Sequence, residues 1–401
     1  MKSKTLPFVL FSLLAVVALA AFVVWGVPYF FQTPVPEMSI STLGAGTVKA
    51  EVTDILEEGM IDLGNGIEQP YQIMRVRILE GEFAGIPMEI DYGKRQIRTD
   101  DIRFDPGDRV FVTVGRRPDG VITAYYVDAV RSAPMLWLLG TFVAAILLIS
   151  RWKGLRSLLA MAFSLFMVIG YVIPHILAGE DPVRVSIIGS AILLGVSLYV
   201  TYGWTLKTHA SVISMLLVLL ITGTLAWFFV IFTRLTGAGD ENAMFLLQMQ
   251  DVTINLRGLL LGGMLIGALG VLDDLVTTQA SAVFELHAAN PDLGPGALFR
   301  SGMRIGQDHV AATVNTLVLA YAGASLPMLL LFTLGRGNYG FLVNYASVAE
   351  EIVRTLVGSL GLVAAVPLTT LIAAGLARNS HRLGEWRRFL GPENSREGHH
   401  H

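Results

Sequence analysis

The chain has 401 residues, of which 15% are charged, with a mean hydropathy of +0.59 and a formal net charge of −3. A soluble domain averages about 25% charged residues, so this is the composition of a membrane protein, and neither its charge nor any basic run favours nucleic acid. There is no cysteine, which excludes disulfides, thiolate metal ligands and cysteine nucleophiles.

Lys2 and Lys4 precede an apolar run from Leu6 to Phe31. Ala18-Leu19-Ala20 resembles a signal-peptidase site. The run stays apolar past that point, whereas a cleavable h-region covers only about 7–15 residues, and its length suffices to cross a bilayer. Residues 1–31 therefore read as an uncleaved transmembrane anchor. From Gln32 to Arg131 the chain turns polar. TVKAEVTDILEE, YQIMRVRILEG, GIPMEIDYG, DRVFVTVGR and VITAYYVDAVR are rich in Val, Ile, Tyr or Phe with partial period-two alternation, the pattern of half-buried strands. RRPDG, at Arg116 to Gly120, is a tight-turn signal joining the last two. Residues 32–131 are expected to form an all-β domain, with a small OB-like barrel as the suggested topology. It lacks a cluster of exposed aromatics and a metal-ligand constellation, so a structural or docking role is favoured over ligand binding.

Residues 132–390 read as a seven-helix membrane domain, and 391–401 as a disordered tail ending in GHHH, a tag remnant. Apolar spans are expected at Ala133–Ser150, Ser157–Ala178, Val183–Trp204, Ser211–Phe232, Gly258–Leu272, Val310–Leu334 and Ile352–Ala377. With the anchor, the fold class is an α-helical polytopic membrane protein of about eight transmembrane helices carrying an inserted β domain. If the spans alternate, Lys2, Lys4, the cluster Arg151 to Arg156, Lys207, Arg300, Arg304, Arg378, Arg382, Arg387 and Arg388 share one side. GEDP, GAGDEN and GRGNYG lie on the other. The positive-inside rule then puts both termini in the cytoplasm and the β domain outside. MFLLQMQDVTI suggests a short interfacial helix. Pro174, Pro327 and Pro367 suggest kinks, and Glu350 with Arg354 a local ion pair.

Gly258 and Gly262, and Gly263 and Gly267, are small-xxx-small steps that let helices approach closely in lipid; Gly270 extends this helix-packing set. Immediately after them comes VLDDLVTTQASAVFEL, Val271 to Leu286. If one helix runs through it, Asp273, Asp274, Thr277, Thr278, Ser281 and Glu285 fall within an arc of about 140°. Gln279 lies on the apolar side, where it needs a partner of its own. An intramembrane charge is costly, by about 2.5–3.5 kcal/mol on insertion scales, and commonly lines a polar path. In the competing reading the span ends at Leu272, and Asp274 caps a separate cytoplasmic helix.

A second polar group, RIGQDHVAATVNT, holds Arg304, Gln307, Asp308, His309, Thr313, Asn315 and Thr316. Asp308 and Asn315 are seven apart and share a helix face. His309 reads as an interfacial residue, with a proton acceptor as the rival. The expected arrangement is a cavity in which Asp273, Asp274, Thr278 and their stripe oppose Asp308 and Asn315. Asp273, Asp274 and Asp308 are the candidate ligands for a bound cation; no other cofactor is evident.

GMLIGALGVLDDLVTTQASAVFELH followed by SGMRIGQDHVAATVNTLVLAYAGASLPMLLLF resembles the YibE/F-like family of bacterial multi-pass membrane proteins. The matching positions here are Gly267, Gly270, Asp273, Asp274, Thr278, Gln279, Glu285, His287, Asp308, His309, Asn315 and Tyr321. The resemblance implies a bacterial inner-membrane protein with an N-terminal anchor and an extracytoplasmic domain, in a family described as transporters or as membrane proteins of unsettled activity. A secondary transporter or exporter, coupled to an ion or proton through intramembrane carboxylates, is the leading reading; the substrate is not legible. The alternative is a non-transporting oligomeric scaffold or sensor whose β domain recognises a partner. A homo-oligomer in the bilayer suits both. There is no P-loop, H-E-x-x-H or G-x-S-x-G motif, so ATP drive and enzymatic hydrolysis are not expected.

Overall fold

A computed structural model describes residues 46–62, 68–95, 102–116, 121–248, 254–334, 339–380 and 387–392. The expected anchor, the Pro-Asp-Gly turn and residues 393–401 lie outside the described residues. Chain contacts divide the described residues into two units, one running to Ile149 and the other beginning at Ser150.

The first unit contains one five-stranded antiparallel sheet. Its strands are β1 (Thr47–Asp62), β2 (Glu68–Ile78), β3 (Pro87–Tyr92), β4 (Arg109–Arg116) and β5 (Ile122–Ala129), in the order β3-β2-β1-β4-β5. Each falls on one of the five runs read from the sequence. Alternation sets which face is buried: Met74, Val76 and Ile78 on β2 and Val110, Val112 and Val114 on β4 point inward. The register of β1 on β2 shifts between Val52 and Asp54 and between Ile55 and Glu57, and such bulges bend a strand and increase its twist. The sheet curls until its edges approach, with the rings of Tyr92 on β3 and Tyr126 on β5 centred 4.7 Å apart. Phe104, from the β3–β4 connection, fills the space beside them, 4.7 Å from Tyr92.

Gln72 holds that connection in place. Its side chain accepts from the Phe104 amide at 2.9 Å and donates to the Phe104 carbonyl at 3.1 Å, both buried.

The second unit, with the stretch leading into it, is helical. The helices are α1 (Ser132–Met167), continuing through a π-turn (Val168–Val172) into α2 (Ile173–Leu177), then α3 (Pro182–Tyr202), α4 (Leu206–Phe232), α5 (Glu241–Gln248), α6 (Leu256–Ala289), α7 (Pro295–Ala324), α8 (Leu326–Leu334), α9 (Tyr339–Asn344), α10 (Ala346–Asn379) and α11 (Arg387–Leu390). Side-chain caps fix three starts. Asp181 accepts from Arg184 N at 2.9 Å, Thr205 from Thr208 N at 3.1 Å, and Asn255 from Gly258 N at 3.1 Å. Helices α4, α6 and α10 pack on one another, with α3 against α6 and α7 against both α6 and α10. Leu194, Leu198, Met215, Val218, Leu269, Leu272 and Leu362 lie at the centre.

Among the described residues, five helical stretches are long and apolar enough to cross a membrane: Ser132–Leu177, α3, α4, α6 and α10. The first is 46 residues long, about twice a single span. It is interrupted at Arg151, whose φ of 49° and ψ of −127° are not helical, between the two spans expected there. Residues 132–149 are exposed or half-exposed throughout, and the unit boundary falls at Ile149 rather than at Arg131. The expected span Val310–Leu334 is not one of these five. It is divided at Ser325 between α7 and α8, because Pro327 has no N–H to continue the ladder, and α7 carries Arg300, Arg304 and Asp308 in its first half.

Gln72→Leu removes both bonds to Phe104 and leaves a buried amide and carbonyl unpaired, at about 1–3 kcal/mol for each group. Thermal unfolding followed by near-ultraviolet signal from Tyr92 and Tyr126 should shift down by several degrees. Thr53→Val, which removes only an exposed bond to the Arg75 carbonyl, should shift it far less. Equal melting of the two variants would contradict the bridging role of Gln72.

Candidate functional site

Helix α6 is unbroken from Leu256 to Ala289. Its 34 residues measure about 51 Å at 1.5 Å each, so the polar stretch is the second half of one long helix. Asp274 therefore caps nothing; the cap is Asn255, five turns earlier at about 3.6 residues per turn.

The adjacent aspartates have different surroundings. Asp274 is exposed and accepts a long hydrogen bond from Thr278 Oγ1 at 3.4 Å. Asp273 is half-buried, and its Oδ1 is sealed from solvent with no hydrogen-bond partner. Thr277 donates to the Asp273 carbonyl at 2.8 Å. With that proton committed, the Tyr202 hydroxyl, 3.3 Å from Thr277 Oγ1, is the donor in their contact.

Asp273 lines a cavity of about 560 Å³ between α1, α3 and α6. Ser157 and Ser164 come from α1, Ser197, Thr201 and Tyr202 from α3, and Gly270 from α6. Leu165, Val168, Leu193, Ile266 and Leu269 supply apolar wall. The sequence reading missed the α1 and α3 hydroxyls: Ser and Thr scattered through apolar runs carry no positional signal until the helices are placed.

The expected opposition of Asp308 and Asn315 to Asp273 is not formed. Asp308 and Asn315 are exposed, His309 is half-buried, and none of the three lines the cavity. The reason lies in the face α7 presents. A Cβ at Gly302 would lie 2.8 Å from Thr370 Cγ2 and 2.9 Å from Val283 Cγ2, and one at Gly306 would meet Val366 and lie 2.8 Å from Gln279 Oε1. This glycine face is turned onto α6 and α10. Asp308 and Asn315 stand about 200° and 180° around the helix from Gly306 at 100° per residue, so they point away. The signal was present as Gly302-xxx-Gly306 inside SGMRIG. Glu285 is exposed and Ser281 half-buried. Asp308 stands apart from Asp273 and Asp274, and among the described residues no group of three or more His, Asp or Glu side chains is placed to hold an ion.

Gln279 has the partner its position demands. It donates to the Gly302 carbonyl at 2.9 Å and to Thr370 Oγ1 at 2.7 Å, joining α6, α7 and α10. Of the other glycines, Gly258 and Gly262 pack on α3, where added carbons would meet Pro182 and Ser186. A Cβ at Gly263 or Gly270 meets nothing within 4 Å, and one at Gly267 only Tyr321 at 3.7 Å, so packing within the chain uses two of the five expected positions. The expected Glu350–Arg354 pair is also corrected. Arg354 donates to Glu351 at 2.7 Å, while buried Glu350 accepts from Gly239 N at 3.1 Å.

Gly306→Val should lower the melting temperature in detergent, with overpacking costing about 1–3 kcal/mol. Gly375→Val, on α10 where an added carbon meets nothing within 4 Å, should be nearly silent. Comparable destabilisation at both positions would contradict the assigned α7 face.

Residues 138–379, from within α1 to the end of α10, match the family model described as YibE/F-like protein. Comparison with curated proteins and with solved structures gives no match. The family match covers more than half of the chain and includes the whole of α6, α7 and α10. The chain belongs to the YibE/F-like family.

Proposed function

We propose that this protein is a secondary transporter or exporter of the bacterial inner membrane, coupled to a cation or proton at Asp273. One observation carries the reading: a carboxylate with a sealed, unpartnered oxygen borders a hydroxyl-lined cavity among apolar helices. An intramembrane carboxylate is costly to keep, by about 2.5–3.5 kcal/mol on insertion scales, and persists where it has work as an ion or proton site. Asp274 lies outside that cavity's lining and takes a supporting role, so coupling is assigned to one aspartate rather than to a pair.

The full topology in this reading has about eight spans. The anchor and the two halves of Ser132–Leu177 supply three, and α7 with α8 crosses as a broken pair. Both termini are cytoplasmic and the sheet is extracytoplasmic. The sheet order β3-β2-β1-β4-β5, with β3 and β5 approaching at Tyr92 and Tyr126, supports a partly open OB-like barrel. Gly263 and Gly267 are exposed on α6 as a small-xxx-small step, which favours packing against a second copy. That feature also suits the scaffold or sensor reading, in which no flux accompanies assembly.

Flux in proteoliposomes under an imposed pH or sodium gradient tests the proposal. Asp273→Asn should reduce coupled flux by at least about tenfold, because it removes the charge that exchanges the ion. Asp274→Asn should retain most of it. Wild-type flux in Asp273→Asn would remove the coupling role of Asp273, whereas absence of flux in the unsubstituted protein, with assembly intact, returns the protein to the scaffold reading.

A further inference from the structure

We infer that the Asp273 cavity is the substrate site itself, and that it takes an amphipathic organic cation. This inference rests on the transporter reading above. Among the described residues, Asp273 is the only acidic side chain in the lining, and no Lys, Arg or His lines it. A ligand desolvated there meets one negative charge and no positive one. An anion would be repelled, and a neutral ligand would leave the carboxylate unpaired.

The walls separate an organic cation from a bare metal ion. Calcium takes six or more oxygens at about 2.3–2.6 Å, and magnesium needs near-octahedral geometry. Here one carboxylate faces hydroxyls distributed over α1 and α3, while Leu165, Val168, Leu193, Ile266 and Leu269 form a broad aliphatic surface. Such walls reward a ligand that brings apolar area. The volume, about 560 Å³, is in the range of clefts that hold drug-sized molecules, about 300–1,000 Å³. The hydroxyls of Ser197, Thr201 and Tyr202 supply oxygen dipoles for the cationic head. Gly270 keeps the α6 wall flat, and a side chain there would enter open space.

The probe is tetraphenylphosphonium, with binding measured on the purified full-length protein in nanodiscs. Saturable binding is expected. Asp273→Asn should raise Kd by roughly 30-fold or more, the loss anticipated when one partner of a desolvated charge pair is removed. Gly270→Leu leaves the carboxylate in place but fills the cavity, and should weaken tetraphenylphosphonium more than the small tetramethylammonium. Melting curves establish that both variants are folded; if Asp273→Asn is not, the size discrimination at Gly270 decides. Binding unchanged by either substitution overturns the inference, as does equal competition by an uncharged analogue of the same shape. Asp273-dependent proton flux without tetraphenylphosphonium binding also overturns it and leaves the transporter reading standing. Asp273-dependent binding without any flux in proteoliposomes supports the site and removes the transporter reading instead.

Discussion

A helix crossing lipid must satisfy its backbone internally, because hydrocarbon offers no partners for a free N–H or carbonyl. That constraint governs α6. The sequence from Val271 to Leu286 has the polarity of a loop, yet the backbone remains helical from Leu256 to Ala289. Its polar side chains must then find partners or water at fixed angles. Gln279 finds Gly302 and Thr370, Thr277 finds its own preceding turn and Tyr202, and Asp273 is left facing a cavity. The close approach of α7 and the position of Asp273 thus belong to the same arrangement.

Much of this was legible. The five strand runs are the five strands, because partial alternation with turn signals is a local pattern and the sheet needs little else. The stripe on α6 was legible because 100° per residue is a property of the helix alone, and the isolated Gln279 announced a buried partner. What the residues did not disclose was the rotation of α7. Asp308 and Asn315 attracted attention because they are polar and share a face, but the glycines at 302 and 306 set which face turns inward. In lipid, small residues commonly mark the helix–helix contact, and a polar face need not turn inward to meet another. The same bias underlies the Glu350–Arg354 expectation, which gave way to Arg354–Glu351 and to capture of Gly239 by Glu350.

The two neighbouring aspartates illustrate how little spacing decides by itself. One residue of offset turns Asp273 toward α1 and α3 and leaves Asp274 outside the cavity lining with Thr278. Their surroundings diverge accordingly: Asp273 has a covered oxygen without a donor, Asp274 an exposed carboxylate with one. Neither is positioned with Asp308, so ion coupling in this account is a property of a single carboxylate and a shell of hydroxyls.

The central claim is that the cavity bordering Asp273 opens to water while the outer faces of the helices meet lipid. The chain has no cysteine, so a single introduced thiol reports its own surroundings. Gly270→Cys, on the cavity wall one turn before Asp273, should react with a charged, membrane-impermeant methanethiosulfonate in proteoliposomes, since only a hydrated thiol ionises and attacks. Leu220→Cys, on the exposed apolar face of α4 at 67% exposure, should be protected by lipid. Protection of Gly270→Cys equal to that of Leu220→Cys would contradict the account, because the carboxylate would then lie in a dry compartment with no route for an ion.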